Sequence, residues 1–299
     1  MSKVKAHPNI QLLIPVVALL SLLLSSCSLG ETPAETSQSA ASGSEIASSA
    51  AGSLDEIREK GTLTIGVFRD LAPFGSVGSD GEYQGYDVYF GDQLGEDLGV
   101  KVDYVGLDAQ GRVPALTGDK VDLVLANFAI TEERAQQVDF SLPYMKASQA
   151  LISPEDALIT DVSQLEGKTL IVTRGTSQQT WFTKNYPQIE QAVYQTQSDA
   201  YAALKDGRGD ALAQSNLDEL AWARQNPGFR VGIEGIGEPT LVAAAVKKGN
   251  TTLLDWVNEE ITTNLPDNFF HDAYAATLED VYGEDANPDE IVVERGTID

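Results

Sequence analysis

From Thr62 onward the chain keeps switching its apolar period, and this feature most restricts what it can fold into. "TLTIGVF" sets Leu63, Ile65 and Val67 two apart, the spacing of a strand. "YDVYFGDQLGEDLGV" sets Phe90, Leu94 and Leu98 four apart on one helix face, with Gly99 placed to end it. "VKVDYVGL" predicts the next strand, and "RVPALTGDK" a short helix with Pro114 near its start, where proline is tolerated. "VDLVLANF" is a continuous apolar run of the kind buried on both faces of a sheet. The alternation resumes with "KTLIVT", "SQQTWFTKNYP", "AVYQT", "SDAYAALKDGRG", "DALAQ", "LDELAWARQNP" and "LVAAAVKK", and Ser198 is a candidate N-cap. Two helical stretches follow, "TTLLDWVNEEITTNL" and "NFFHDAYAATLEDVYG", and a short helix, "SLDEIREKG", precedes the first strand. "RDLAPFGSVGSDGEYQG", rich in Gly, Pro and Asp, predicts loop and turn. Strands alternating with helices predict an α/β fold with parallel sheets. Two such series in one chain predict two lobes. Ligands of such folds bind at the carboxyl ends of strands or between lobes.

The N-terminal segment belongs to none of this. Lys3 and Lys5 precede "IQLLIPVVALLSLLLSS", an apolar run interrupted by Pro15, which is the pattern of an export signal over residues 1–26. The only cysteine, Cys27, follows two serines and resembles the lipidation site of bacterial lipoproteins. Residues 27–53 have almost no large apolar side chains, so they cannot recover the entropy of ordering and are expected to form a flexible tether. The expected location is therefore outside the cytoplasm, lipid-anchored on the outer face of the membrane or in the periplasm.

Charge narrows the partners. Forty-five acids against 20 bases give −25, and removal of the signal with its two lysines takes this to −27. Such a field repels nucleic acid, so no nucleic-acid partner is expected. An anionic small ligand needs a local positive site. With His271 the only histidine beyond the signal and Cys27 acylated, neither a metal site nor a cofactor is expected. "GSVGSDG" lacks the Lys-Ser/Thr that completes a phosphate loop. No Ser-His-Asp set is apparent, and no catalytic residue is assigned.

A carboxylate-binding set remains. Arg134 follows the end of a buried strand, and a guanidinium grips a carboxylate with two parallel hydrogen bonds. Gly175, Thr176 and Ser177 follow "KTLIVT" and open a helix whose first N–H groups have no intrahelical acceptor. On residues alone, Arg134 also fits a surface ion pair with Glu132 or Glu133, and the Gly-Thr-Ser start also fits an ordinary capped helix.

"GTLTIGVFRDLAPFG", "GEYQGYDVYFGDQLGEDLGVKVDYV", "RVPALTGDKVDLVLANFAITEERAQQVDFSLPYM", "LEGKTLIVTRGTS" and "GRGDAL" occur in the order found in the family 3 (polar amino acid) solute-binding proteins of ABC transporters. The chain resembles that family over about residues 54–285. Details such as "FTKNYP", "VKKGN" and "FFHDAY" look most like its cysteine-, cystine- and acidic-amino-acid-binding branch. The resemblance implies a two-lobed periplasmic-binding-protein fold (type II), each lobe a sheet flanked by helices. Lobe 1 would comprise residues 54–148 plus 247–299 and lobe 2 residues 149–246, with two interlobe crossovers near "QALIS" and "LVAAAV". It implies a monomer that delivers a small ligand, an amino acid or related carboxylate, to an ABC permease without turnover. The rival readings are a dehydratase or lyase on the same fold, or a ligand-sensing module. By resemblance Arg134 binds the ligand α-carboxylate, helped by Gly175, Thr176 and Ser177. Asn127, Phe128 and Ala129 line the site, and Phe74 packs on the ligand. Two positions depart from the family: Ala129 stands where a threonine is usual, and Ser215 where an aspartate usually takes the α-ammonium. Asp218, about one helical turn on, is the candidate replacement.

Overall fold

The structure, a computed structural model, describes residues 52–283 and 286–298. The expected export signal, Cys27 and the tether through residue 51 lie outside the described residues. The last two tether positions behave otherwise than expected. Ser53 caps α1 (Leu54–Lys60): its hydroxyl accepts from the Glu56 N–H, and the Glu56 carboxylate accepts from the Ser53 N–H. This reciprocal box was legible as a serine three residues before a glutamate. The Gly52 carbonyl accepts from Asn250 Nδ2 at 2.9 Å, tying the start of the body to its C-terminal part.

β1 (Thr62–Phe68) leads into a stretch where composition predicted only loop. Three short strands form there, β2 (Asp70–Leu71), β3 (Gly75–Val77) and β4 (Tyr83–Gln84), paired as a small antiparallel sheet. Then come α2 (Tyr86–Leu98), ended by Gly99 at φ 70, β5 (Lys101–Leu107) and α3 (Arg112–Thr117). β6 covers only Leu123–Val124, shorter than the apolar run, because Asn127 turns to φ 42 and leaves the extended geometry. α4 (Glu132–Ala135) is a single turn, and β7 (Val138–Pro154) follows it. The second series is β8 (Thr169–Thr173), α5 (Ser177–Asn185), β9 (Glu190–Tyr194), α6 (Gln197–Lys205), β10 (Ala211–Ser215) and α7 (Asn216–Gln225). The cap of α6 is Thr196, whose side chain accepts from the Asp199 N–H, and not Ser198. After β11 (Phe229–Lys247), α8 (Thr251–Glu259) passes into a π-helical turn, Glu260–Asn264. The last helical stretch breaks at Leu278 into α9 (Phe269–Thr277) and α10 (Glu279–Tyr282). Among the described residues no helix is long and apolar enough to cross a membrane.

The large sheet has the order β5-β1-β6-β11-β7-β10-β8-β9. β1 runs parallel to β5 and β6, and β8 runs parallel to β9 and β10. β7 and β11 pair antiparallel with each other over almost their whole lengths and hydrogen-bond the two parallel series into one sheet. Residues 149–153 and 241–246, the expected crossovers, lie within these two long strands.

The apolar interior divides in the same way. One cluster holds β1, β6, α2, α8 and α9. Two others cover opposite faces of the second series, with Leu151 and Ala213 on one face and Ile152 and Leu212 on the other. In the first cluster the Phe90 ring of α2 meets Phe270 of α9 edge-on at 5.0 Å and Tyr144 of β7 at 5.5 Å. Burying a side chain of that size contributes about 1.5–3 kcal/mol. It also fixes Tyr144 beside Asp87, which bears on the site.

Candidate functional site

Strand ends and helix starts converge on one cleft holding about 390 Å³ of empty space, mouth included. Phe68 at the end of β1, Asn127, Ala129 and Arg134 approach from one side. Thr176, Ser177 and Gln178 at the start of α5 approach from the other, with Gln214, Ser215 and Asp218 of β10 and α7.

Arg134 is reached by one turn of helix. Thr131 caps that turn through its hydroxyl, and Glu132 and Glu133 point outward while Arg134 is 9% exposed. Residues one or two apart on a helix do not face each other, so neither glutamate can clamp it. Nor does Arg134 directly end the strand, because nine residues lie between it and Val124. Its Nη1 donates to the Ala129 carbonyl at 2.6 Å and its Nη2 to the Gly175 carbonyl at 3.0 Å. Of the five N–H groups a guanidinium carries, three stay available. Burial pulls its pKa down to about 10, against an opposing effect of Glu133, so it remains a cation.

A second arginine was missed in the sequence. Arg112, 3% exposed, donates through Nε to Ala109, through Nη1 to the carbonyls of Ala126 and Asn127, and through Nη2 to Gly175. Four of its N–H groups are committed, so it fixes the backbone around the cleft and has little left for a ligand. Its signal was a cation at the first position of α3, the helix end that repels positive charge. Phe128 supports both cations: its ring lies 4.5 Å from Arg112 Cζ and 4.8 Å from Arg134 Cζ. It is fully buried and packs beneath the cleft instead of lining it.

The Gly175–Ser177 segment contributes differently from the expectation. The Gly175 N–H is taken by Gln179 Oε1 at 2.8 Å and the Thr176 N–H by the Thr173 carbonyl, while the Thr176 hydroxyl caps α5. The N–H groups left facing the cleft at the helix start are those of Ser177 and Gln178. Gly175 supplies its carbonyl instead, the acceptor shared by both arginines. Its φ of 79, and the Gln110 Cα only 2.6 Å from where a Cβ would sit, require glycine there.

Phe74 is displaced from its expected role. It is 0% exposed inside the first core cluster, and its carbonyl accepts from the Asp87 N–H. The aromatic that lines the cleft is Phe68, over which Arg112 lies at 5.2 Å. Ala129 lines the cleft through backbone and methyl group, bridging to Val242 of β11.

The opposite wall is acidic and amide-rich. The Ser215 hydroxyl accepts from the Leu217 N–H and so caps α7, while Asp218, 3% exposed, faces the cleft. One carboxylate oxygen of Asp218 accepts from Asn127 Nδ2 at 3.3 Å. Burial, reinforced by repulsion from Asp87, pushes Asp218 up to about 8, against the pull of Arg112 and Asn127. Asp87 lies behind it, accepting from the Tyr144 hydroxyl at 2.5 Å and the Asn127 N–H at 2.8 Å. Burial raises Asp87 to about 6 despite these bonds and Arg112. Its signal was legible as an acid three residues before Phe90 and seven before Leu94, on the core face of a helix.

The sequence matches bacterial extracellular solute-binding proteins, family 3, over residues 63–275. A glutamine-binding protein of Geobacillus stearothermophilus is 30% identical over 229 residues, covering 75% of this chain and 87% of the relative. The L-cystine-binding protein TcyJ of Escherichia coli K12 is 30% identical over 213 residues, covering 70% and 80%. The solved structure of the solute receptor for L-cysteine of Neisseria gonorrhoeae is 44% identical and superposes with a TM-score of 0.79, covering 81% of this chain and all of that one. The α/β architecture is that of the two-lobed type II periplasmic-binding-protein fold, and the chain belongs to family 3 of the bacterial extracellular solute-binding proteins.

Proposed function

We propose that this protein is the extracytoplasmic binding component of an ABC importer and that its cleft holds a small polar amino acid by both of its main-chain charges. The observation that carries this reading is the pairing of unlike walls in one cleft. Arg134, with free N–H groups, and the opening amides of α5 make one wall, and the Asp218 carboxyl makes the other. The α-carboxylate would lie on Arg134 and the Ser177 and Gln178 amides. The α-ammonium would lie on Asp218, which replaces the aspartate absent at Ser215. The glutamine-, cystine- and cysteine-binding relatives support an amino acid as ligand.

In this reading residues 54–148 with 247–299 form one lobe and 149–246 the other, hinged through β7 and β11. Arg112 and Arg134, both donating to Gly175, and Gln195 donating to Asp108 at 2.8 Å would hold the closed state. Lipidation at Cys27, after removal of residues 1–26, would anchor the protein outside the cytoplasm as a monomer beside its permease. No turnover is proposed. A lyase would need a base beside the ligand, and the carboxyl that lines the cleft, Asp218, is in this reading taken up by the α-ammonium. The test is a thermal-shift screen of the 20 amino acids, cystine and small dicarboxylates, since a ligand that binds only the native state raises the melting temperature. A shift with intact ligand recovered supports the reading. A shift from simple carboxylates alone, or release of a product, refutes it.

A further inference from the structure

Beyond the two charged positions, one part of the cleft wall is a row of side chains on a single face of the sheet. Gln214 of β10 pairs with Ala150 of β7. One step past the paired Ala213 and Val172, Thr173 of β8 stands level with Gln214 on its other side. Residues opposite one another in adjacent strands share a face, so Gln214 lies between two short side chains that leave its amide room. Gln197 of α6 borders the row, its Oε1 accepting the Thr173 hydroxyl at 2.6 Å. Gln214 and Gln197 are each 3% exposed and both line the cleft.

Gln214 is the member without a protein partner. Its Nε2 is buried and makes no hydrogen bond. Leaving a buried amide unpaired is unfavourable, and a leucine of the same length would fill the space without that cost. A purely structural role does not account for it. The row carries amides and a hydroxyl and no charge; Arg134 and Asp218 face the main-chain ends of the ligand in the reading above, and Arg112 is committed to backbone carbonyls.

We propose that Gln214 reads the ligand side chain and selects α-amino acids whose side chains are uncharged and hydrogen-bonding. This rests on the amino-acid reading of the same cleft. A terminal amide offers a donor and an acceptor, which suits a hydroxyl, thiol or carboxamide. A charged side chain would be buried against the row without a counter-ion. An aliphatic one would leave Nε2 unpaired in the complex, and sites built to pair a polar group reject analogues lacking it far more strongly than apolar pockets reject a missing methylene.

The experiment is calorimetric titration of matched pairs: serine against alanine, cysteine against 2-aminobutyrate, and glutamine against norleucine. Wild type is expected to favour the polar member of the best-fitting pair by at least about tenfold. Gln214→Leu, which keeps the volume, should bring that ratio within about threefold. Gln214→Glu should gain binding of 2,4-diaminobutyrate or lysine, because it adds an anion to the row. If Gln214→Leu folds and keeps the wild-type ratio, Gln214 does not read the side chain, and the amino-acid reading stands so long as Arg134→Ala loses binding. A wild type preferring aliphatic or charged members also overturns the proposal. If no α-amino acid binds wild type at all, the reading of the cleft fails and this inference fails with it.

Discussion

The two walls of the cleft are built on opposite principles. On the arginine wall, Arg112 and Arg134 hold five backbone carbonyls between them, those of Ala109, Ala126, Asn127, Ala129 and Gly175, and lie against the Phe128 ring. On the acid wall, Asp218 has a single 3.3 Å bond and Gln214 Nε2 has none. Buried polar groups are normally satisfied. One wall is therefore rigid and one underspent, and in our reading the underspent wall is completed by the ligand.

The largest effect should come from breaking the rigid wall. Arg134→Ala is expected to weaken ligand binding by at least about 30-fold, since truncating one partner of a buried charge pair costs about 2–5 kcal/mol. The melting curve of the ligand-free protein should stay cooperative. An unchanged affinity by calorimetry would remove Arg134 from the site. Next comes Gly175→Ala. It forces a side chain into φ 79 against the Gln110 backbone and should cost about tenfold or more in affinity by preventing full closure. Equal affinity in this variant would show that the two sides need not approach so closely.

Much of this contrast was readable in advance, and the gaps have physical causes. The helices and the parallel strands followed from period. β7 and most of β11 did not, because their ladder absorbs five register shifts, and glycines together with Pro143 and Pro239 interrupt any alternation. Residues 241–246 alone kept a clean apolar run. In the site, Arg134 stood out through its neighbourhood and the family resemblance. Arg112 and Gln214 did not, because what marks them is a partner, or the lack of one, across long stretches of sequence: Arg112 reaches Gly175 some 63 positions away. Phe74 was misplaced because its aromatic neighbour in sequence, Phe68, takes the cleft position while Phe74 turns into the core.

The acid wall makes pH a finer probe. Asp218 at about 8 and Asp87 at about 6 both lie above their unfolded value of 3.8. The native ligand-free state therefore holds more protons than the unfolded state between roughly pH 4 and 8, and its stability should fall as pH rises through that window. Asp218→Asn should flatten this fall and raise the ligand-free melting temperature at pH 8, by about 2–4 °C for each 1 kcal/mol regained. A melting temperature in the variant that drops as steeply as in wild type would contradict the assignment. The smallest effect runs in the same direction with pH and lies away from the cleft, but here the substitution destabilises. Burial opposes the proton on His271, but its bonds to Glu294 and Asp289 outweigh that and hold its pKa above 6.5. Its contribution is present below pH 6.5 and lost as pH rises through the raised value, so His271→Gln should lose stability at pH 6 and little at pH 9.

In this reading the underspent wall is the ammonium site. This is tested most directly by calorimetric titration of the best-binding amino acid and its deaminated analogue against wild type and Asp218→Asn. Wild type should bind the amino acid at least about tenfold more tightly, with affinity rising from pH 6 to 8 as Asp218 gives up its proton, and the variant should lose both the preference and the pH slope. A variant that still prefers the amino acid by the wild-type margin would contradict the account.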